Sequence, residues 1–328
     1  MIRHLQAFIG AGTNPHRNLA IEEYLTDTVP KDTCIVYLWQ NKHTVVIGRN
    51  QNAWAECRTV ELERDGGTLA RRLSGGGAVY HDMGNLNFTF SLRTQDYDLR
   101  RQQSVIVEAC RMLGIPAEIS GRNDILTNGC KFSGNSFYSH NGCSFHNGTL
   151  LLSVDMANLG KYLTPSKVKL ESKGVASVRS RVINLTELRP ALTVPEMADA
   201  MVRAAETVYG LKASMLSEAD FDEAEIEKRF RRFASFDWNY GKSVPCSLAF
   251  VKRFCWGEVT MQLAVKNGLC TNAAVYTDAM DAEFAAPLAA ALTGCRFLPD
   301  ELCARIRKTP QCGAVAEDLC TLVQEQSL

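Results

Sequence analysis

Hydrophobic and polar positions along this chain follow two patterns, one typical of strands and the other of helices. Short apolar runs rich in β-branched residues, at residues 34–39 and 44–48, predict buried strands. Asn14-Pro15 is a helix start, because asparagine is a favoured cap and proline is favoured at the first helical position. A helical pattern at residues 101–113 ends before Gly114. Strands and helices mixed in this way predict an α+β protein.

The pattern changes near residues 238–245. Beyond this point, two strand-like runs flank Asn267-Gly268, a pair that favours a type I′ hairpin turn, and the residues after them are helical in pattern. We therefore predict a large mixed-sheet domain over residues 1–245 and a small α+β accessory domain over residues 246–328.

Composition narrows the class of protein. The chain has 328 residues with 36 basic and 36 acidic side chains, so it lacks the basic surface of a nonspecific nucleic-acid binder. Its 12 cysteines include no C-x-x-C pair and no apolar run of about 18 residues is present, so we expect neither a signal peptide nor a membrane span. We expect reduced thiols in a cytoplasmic monomer that binds neither membrane nor nucleic acid.

The most informative segment is Arg71-Arg72-Leu73-Ser74-Gly75-Gly76-Gly77, which continues as Ala78-Val79-Tyr80-His81-Asp82. Glycines let backbone N–H groups approach a ligand closely, and such groups bind anions. The arginines add charge and paired donors that suit phosphate or carboxylate. An isolated glycine triplet is more often a turn, but this one joins two strand-like runs. The segment therefore indicates a phosphate or phosphoanhydride site.

A second group of residues comprises Gly121-Arg122-Asn123-Asp124 and Gly129-Cys130-Lys131-Phe132-Ser133-Gly134. A lysine among small residues can contact a phosphate and a carboxylate together and stabilise charge that develops between them. Asp124 can either hold Mg²⁺ or orient Lys131. A plain β-hairpin with a solvated lysine is the alternative, since most lysines are exposed.

Two further segments are less specific. His146, at the start of a polar step into an apolar strand, can transfer a proton or can simply bond to the backbone. The basic stretch at residues 172–182 is either a loop that folds over an anionic intermediate or a solvated turn.

Two familiar nucleotide motifs are excluded. Gly241-Lys242-Ser243 ends like a Walker A loop, but Phe236 stands where the first glycine belongs. Gly10-Ala11-Gly12 would need a third glycine at Pro15 to be a dinucleotide fingerprint. The glycine triplet therefore belongs to another kind of site.

In their order and spacing these segments resemble the lipoate–protein ligase A family. The matching stretches cover essentially the whole chain, including the small C-terminal domain, and they are residues 71–85, 121–124, 131–134, 146–150, 177–182 and 238–241. Two departures are mild: Leu73 stands where a small polar residue is frequent in the family, and Asn147 where histidine is frequent.

The resemblance implies the biotin/lipoate-ligase fold and a two-step reaction. Family members use ATP to convert lipoate to lipoyl-AMP with release of pyrophosphate, and then pass the lipoyl group to a lysine of a lipoyl domain or a glycine-cleavage H protein. By resemblance, we expect Lys131 and Asp124 to be catalytic, with Asp124 also at Mg²⁺. The expected ATP contacts are Arg72, Gly75, Gly76, Gly77, Ala78, Val79, Tyr80, His81, Asn85 and Lys131, and the expected lipoate contacts are Trp39, Arg72, Lys131 and His146.

Other functions remain to be separated from this one. Octanoyl and lipoyl transferases of the same fold use a catalytic cysteine, but residues 158–166, where it is expected, contain none, and Cys143 precedes His146. A transferase that acts on preformed lipoyl-AMP stays open. A DNA-binding regulator, as occurs among the related biotin ligases, is disfavoured by the zero net charge.

Overall fold

A computed structural model describes residues 1–121, 124–164, 182–240 and 248–325. The predicted motif residues Arg122 and Asn123, the basic stretch at 172–181, and Gly241-Lys242-Ser243 lie outside these ranges.

The largest element is an eight-stranded mixed sheet. With strands numbered in chain order, its spatial order is β11 (Ala213–Met215), β1 (His4–Ile9), β2 (Thr33–Trp39), β6 (Asn85–Arg93), β10 (Cys143–Leu151), β9 (Cys130–His140), β8 (Asp124–Thr127) and β7 (Glu118–Ser120). Strand β1 is parallel to both of its neighbours, and the other pairings are antiparallel. The mixed sheet and the α+β class are therefore as predicted.

Helices cover both faces of this sheet. Helices α4 (Leu99–Met112) and α6 (Val194–Tyr209) pack against the face that carries Val36 and Leu38, and α1 (Pro15–Asp27) and α7 (Glu223–Ala234) pack against the opposite face. The side chain of Asn14 accepts from the N–H groups of the first turn of α1, as the sequence predicts. Helix α4 begins two residues before the predicted start, because Asp98 caps it by accepting from the Arg101 N–H.

A second, three-stranded sheet places the glycine triplet. Its order is β4 (Thr68–Arg71), β3 (Thr44–Ile47) and β5 (Val79–His81), so the triplet lies in the connection from β4 to β5. The short helices α2 (Ala53–Glu56), α3 (Thr59–Arg64) and α5 (Met156–Tyr162) accompany this sheet and share its hydrophobic core. Helix α8 (Phe236–Tyr240) packs against β4.

The C-terminal residues form a third sheet with its own core. Strands β12 (Leu248–Phe254), β13 (Gly257–Lys266) and β14 (Leu269–Thr277) are antiparallel, and helices α9 (Ala285–Leu292), α10 (Pro299–Lys308) and α11 (Ala316–Gln324) follow. Asn267 and Gly268 both have positive φ, 52° and 72°, as a type I′ turn requires. The division of the chain at residue 245 stays a prediction.

Two expectations concern the molecule as a whole. In the parts of the chain that the structure covers, no helix combines the length and the apolar character needed to cross a bilayer. The cysteines within the same ranges are free thiols, most of them buried.

Candidate functional site

The candidate site is built on a row of residues that crosses the large sheet. Trp39 of β2 is paired with Asn87 of β6, and Asn87 is paired with Thr149 of β10. The N–H of Gly134 on β9 then donates to the Thr149 hydroxyl at 3.4 Å, and Gly134 is paired with Asp124 of β8. All five residues line one cavity. The row thus runs from an indole at one end to a carboxylate at the other.

A second row lies deeper under helix α1. Thr89 and Asn147 are paired neighbours on β6 and β10, and both donate to Oε1 of Glu22 on α1, at 2.7 and 2.9 Å. The Trp39 indole N–H donates to the Thr89 hydroxyl at 3.2 Å, which connects the two rows. Burial raises the pKa of Glu22 to about 7, although both hydrogen bonds oppose this shift. A titratable carboxyl is therefore enclosed beneath the cavity floor.

The cavity itself has a volume of about 900 Å³, within the range of small-molecule sites. Its apolar walls are Leu19, Trp39, Val46 and Val79. The C-terminal domain contributes a second wall, formed by residues that include Arg253, Cys255, Trp256 and the segment 278–281. One compartment thus joins an apolar slot to polar surfaces from both sheets.

Arg72 supports the glycine triplet from inside the protein. Its guanidinium donates to the carbonyl oxygens of Gly75 at 2.6 Å, Gly77 at 2.8 Å and Val46 at 3.3 Å. Burial lowers the pKa of Arg72 to about 10, and the nearby Glu22 acts in the opposite direction, so Arg72 is a cation at neutral pH. Gly76, with φ of 89°, adopts a backbone conformation that favours glycine. Arg72 therefore holds the loop and also faces the cavity.

Arg71 has a different role. It is buried, and its guanidinium donates to the carbonyl oxygens of Gly48, Arg49, Gln51, Trp238 and Asn239. It does not belong to the cavity lining. Arg71 thus ties β4 to α8 and to the chain after β3, which is a structural role.

The second predicted group is also assembled. Lys131 Nζ lies 2.6 Å from Asp124 Oδ1, and both side chains are 37% exposed in the cavity wall. A register shift between Ile125 and Leu126 interrupts the pairing of β8 with β9 next to these residues. The sequence left two roles open for Asp124, holding Mg²⁺ or orienting Lys131. The ion pair favours the second role.

The expected nucleotide contacts divide into two sets. Gly76, Gly77, Ala78, Val79 and His81 line the cavity together with Arg72 and Lys131. Gly75, Tyr80 and Asn85 do not line the cavity. The Tyr80 ring packs against His43 and Tyr162 on the other side of β5. The Asn85 side chain is fully buried and donates to Asn87 Oδ1 at 2.9 Å.

His146 lies away from the cavity. Its side chain is fully buried between Phe88 and Phe90, and its Nε2 is 2.7 Å from Asn135 Oδ1. Burial lowers its pKa to about 3. Because successive side chains of a strand point to opposite faces, it is the neighbouring Asn147 that lines the cavity. The geometry therefore gives no support to the expected contact of His146 with lipoate.

The sequence analysis did not predict several residues that line the cavity, although the sequence pattern marks some of them. The polar positions Asn87 and Thr89 alternate with apolar ones along β6, which marks a polar face on an otherwise buried strand. No comparable pattern marks the segment 278–281, which reaches the cavity from the C-terminal domain.

Solved structures with similar folds include lipoate–protein ligases. LipL1 of P. falciparum in complex with lipoate superposes with a TM-score of 0.86 at 25% identity, over 98% of this chain and 100% of that chain. The bipartite lipoate protein ligase of Thermoplasma acidophilum, solved with its E2 lipoyl domain, gives 0.64 at 25% identity over 76% and 100%. A lipoate-protein ligase A bound with ATP gives 0.62 at 25% identity over 74% and 99%.

Family comparisons agree with the structural ones. The model of the family described as "Lipoyl protein ligase A/B catalytic domain" matches residues 14–206, and that of the "Bacterial lipoate protein ligase C-terminus" matches residues 243–319. The first match alone spans more than half of the chain. The chain therefore belongs to the lipoyl protein ligase A/B family.

Proposed function

We propose that this protein is a lipoate–protein ligase that activates lipoate with ATP and then transfers the lipoyl group to a lysine of an acceptor protein. The observation that carries the proposal is the cavity, which joins an apolar slot to a glycine-rich loop and to Lys131. An apolar acyl chain with a carboxylate head fits the slot, and the polar surfaces suit a phosphate.

The first step brings two anions together. A carboxylate oxygen of lipoate attacks the α-phosphorus of ATP, an O–P bond forms, and the bond to pyrophosphate breaks. The ammonium of Lys131 can face both anions and so lower their repulsion in the transition state. Asp124 keeps that ammonium in position through the 2.6 Å ion pair. Backbone N–H groups of the glycine triplet supply further donors to phosphate oxygens.

A magnesium ion fits this site through a single carboxylate. Among the described residues, no group of three or more histidine, cysteine, aspartate or glutamate side chains could hold a metal. Mg²⁺ in nucleotide sites usually takes one or two carboxylates and completes its coordination with phosphate oxygens and water, so Asp124 suffices as a protein ligand. When bound, the ion would neutralise charge on the departing pyrophosphate.

The second step requires no nucleophile from the enzyme, because the acyl-adenylate is already an activated acyl donor. The amine of the acceptor lysine attacks the acyl carbon, an amide forms, AMP departs, and the amine loses a proton. We propose a lipoyl domain of a 2-oxoacid dehydrogenase or a glycine-cleavage H protein as acceptor. The Thermoplasma acidophilum ligase, solved with its E2 lipoyl domain, supports this choice.

The alternative is a transferase that accepts a preformed acyl donor. A thioester-dependent transferase needs a cysteine in the cavity, and within the described ranges Cys255 is the cysteine that lines it. Cys255→Ser therefore separates the two mechanisms: a ligase retains its activity, and a thioester transferase loses it.

The test is the mass of a purified lipoyl domain after incubation with this protein. With lipoate, ATP and Mg²⁺ we expect lipoylation of the acceptor, and no reaction when ATP is omitted. Lipoylation only from added lipoyl-AMP would favour transfer without activation. Lipoylation only from an acyl thioester, together with loss of activity in Cys255→Ser, would favour the cysteine mechanism.

A further inference from the structure

Three hydrogen-bond donors in the cavity lining have no acceptor among the described residues. Of the described residues, Arg72 Nε, His81 Nε2 and Asn87 Nδ2 are buried nitrogen atoms without a partner, and their side chains line the cavity. Arg72 is 7% exposed, His81 is 3% exposed and Asn87 is 2% exposed. A buried donor that is left unpaired destabilises the folded protein. Three such donors in one lining indicate that a ligand oxygen completes them.

A chain of hydrogen bonds fixes His81 Nε2 as a donor. The Tyr37 hydroxyl donates to Asn18 Oδ1, and Asn18 Nδ2 donates to Asn41 Oδ1 at 3.0 Å. Asn41 therefore presents its Nδ2 to His81 Nδ1 at 3.1 Å, and this ring nitrogen accepts. Burial and the charge of Arg72 lower the pKa of His81, so the ring is neutral and its proton is on Nε2. The free position of the ring is thus an N–H.

The Asn87 amide has its oxygen occupied and its nitrogen free. Asn85 Nδ2 donates to Asn87 Oδ1 at 2.9 Å, so the unpartnered nitrogen of Asn87 is a donor. Asn87 lies between Trp39, which is part of the apolar wall, and Thr149, which is on the polar side of the row. This is the boundary at which the head of an amphipathic acid would lie, because its chain follows the apolar wall.

Building on the proposed function, we infer that Asn87 Nδ2–H, together with His81 Nε2–H, binds the oxygen of the acyl substrate that becomes the carbonyl oxygen of the acyl-adenylate. Both groups are neutral donors, and neither can accept from a hydroxyl. A carbonyl or carboxylate oxygen therefore satisfies them, whereas a ribose hydroxyl would leave its own hydrogen without an acceptor there.

The same two donors would act in the transfer step. When the acceptor amine adds to the acyl carbon, the C=O electron pair moves onto this oxygen and gives it a negative charge. The pair returns as the C–O bond to AMP breaks. Donors fixed at that oxygen stabilise the charged intermediate, and removal of one such donor typically slows an acyl transfer by about 10²–10³-fold. Asn87 is thereby assigned a catalytic role that the sequence did not predict.

The test uses two adenylate analogues that cannot transfer their chain, one with an acyl carbonyl (an acyl sulfamoyl-adenosine) and one with a methylene at that position. Binding of each is measured by calorimetry for the wild-type protein and for Asn87→Leu, which keeps the size of the side chain and removes the donor. Asn87→Ala is the second variant should Asn87→Leu fold poorly. Gln102→Leu is the matched control, because Gln102 is a fully buried amide without partners, on α4 and outside the cavity lining.

We expect the wild-type protein and the Gln102→Leu control to bind the carbonyl analogue at least about 10-fold more tightly than the methylene analogue, since one bonded donor is worth about 1.4 kcal/mol. We expect Asn87→Leu to lose this difference. An equal loss for both analogues, or no loss, would overturn the assignment and leave the proposed function intact. If neither analogue binds the wild-type protein, the proposed function itself is contradicted.

Discussion

The backbone N–H of Gly76 donates to the carbonyl oxygen of Ala279 at 3.1 Å, which joins the glycine triplet to the C-terminal domain. A β-carbon on Gly75 would lie 2.3 Å from the same carbonyl oxygen and 2.6 Å from that of Met280. Two backbones are therefore in close contact at the edge of the cavity. The Gly76 N–H is therefore already bonded to the Ala279 carbonyl oxygen. A phosphate that binds to this N–H must displace the segment 278–281.

The first prediction concerns this contact. Gly75→Ala would force the segment 278–281 away from the triplet, because both clashing atoms belong to the backbone of that segment and no side-chain rotation can relieve the contact. We expect faster amide hydrogen exchange at Gly76 and at residues 277–282, with the C-terminal core still protected. Gly313→Ala is the control, since a β-carbon there meets nothing within 4 Å. Unchanged exchange at both segments in Gly75→Ala would contradict the contact.

The second prediction concerns Lys131. We expect Lys131→Ala to abolish adenylate formation, because Lys131 is the cation that we place between the two reacting anions. The free energy of unfolding should fall by less than about 1 kcal/mol, because the lost pair with Asp124 is partly exposed. Chemical denaturation and single-turnover formation of lipoyl-AMP measure the two effects. Full activity in the variant would remove Lys131 from the mechanism.

The third prediction concerns Glu22 and pH. Its pKa is raised from 4.5 to about 7, so the folded protein holds a proton that the unfolded chain releases above pH 4.5. This contribution to stability is complete below pH 4.5 and is lost as pH rises through 7. Glutamine does not titrate, so we expect Glu22→Gln to lack this fall in the free energy of unfolding. The free energy of unfolding of the variant, relative to that of the wild-type protein, should therefore increase by about 3 kcal/mol between pH 5 and pH 8.

Urea denaturation at several pH values provides the measurement. His81 and His146, whose pKa values are lowered by burial, give stability that rises with pH up to about 6.5. They do so in both proteins, and their effect cancels in the difference between wild type and Glu22→Gln. A difference that does not change with pH would show that Glu22 is ionised in the folded protein.

The fourth prediction separates the two arginines of the motif. Arg71→Leu removes the donor for five carbonyl groups, so we expect a loss of at least about 3 kcal/mol in the free energy of unfolding. Arg64→Leu is a control with an exposed arginine, for which the change should be within about 0.5 kcal/mol. Similar stabilities for the two variants would contradict the structural role of Arg71.

Local chemistry made much of this structure predictable from the sequence. The cap at Asn14 and the turn at Asn267-Gly268 depend on neighbouring residues alone, and both form as expected. The glycine triplet and Lys131 were found because their composition is unusual for a packed core. His146 was expected at the site from the family resemblance, whereas the alternation along its strand sends the side chain into the core.

Long-range contacts account for what the sequence did not predict. The approach of Ala279 to Gly76 joins residues about two hundred positions apart, and no periodicity encodes it. The free donor of His81 depends on a hydrogen bond from Asn41, which is 40 positions away in the chain and meets His81 only in the folded protein. Such networks determine the function of a residue whose type alone is uninformative.

In the proposed function, this protein itself activates lipoate with ATP. The most direct measurement is the exchange of labelled pyrophosphate into ATP in the presence of Mg²⁺, with and without lipoate. We predict exchange that depends on lipoate and disappears in Lys131→Ala. A folded, wild-type protein that binds lipoate and ATP but gives no lipoate-dependent exchange would contradict the claim and favour a transferase that acts on a preformed acyl donor.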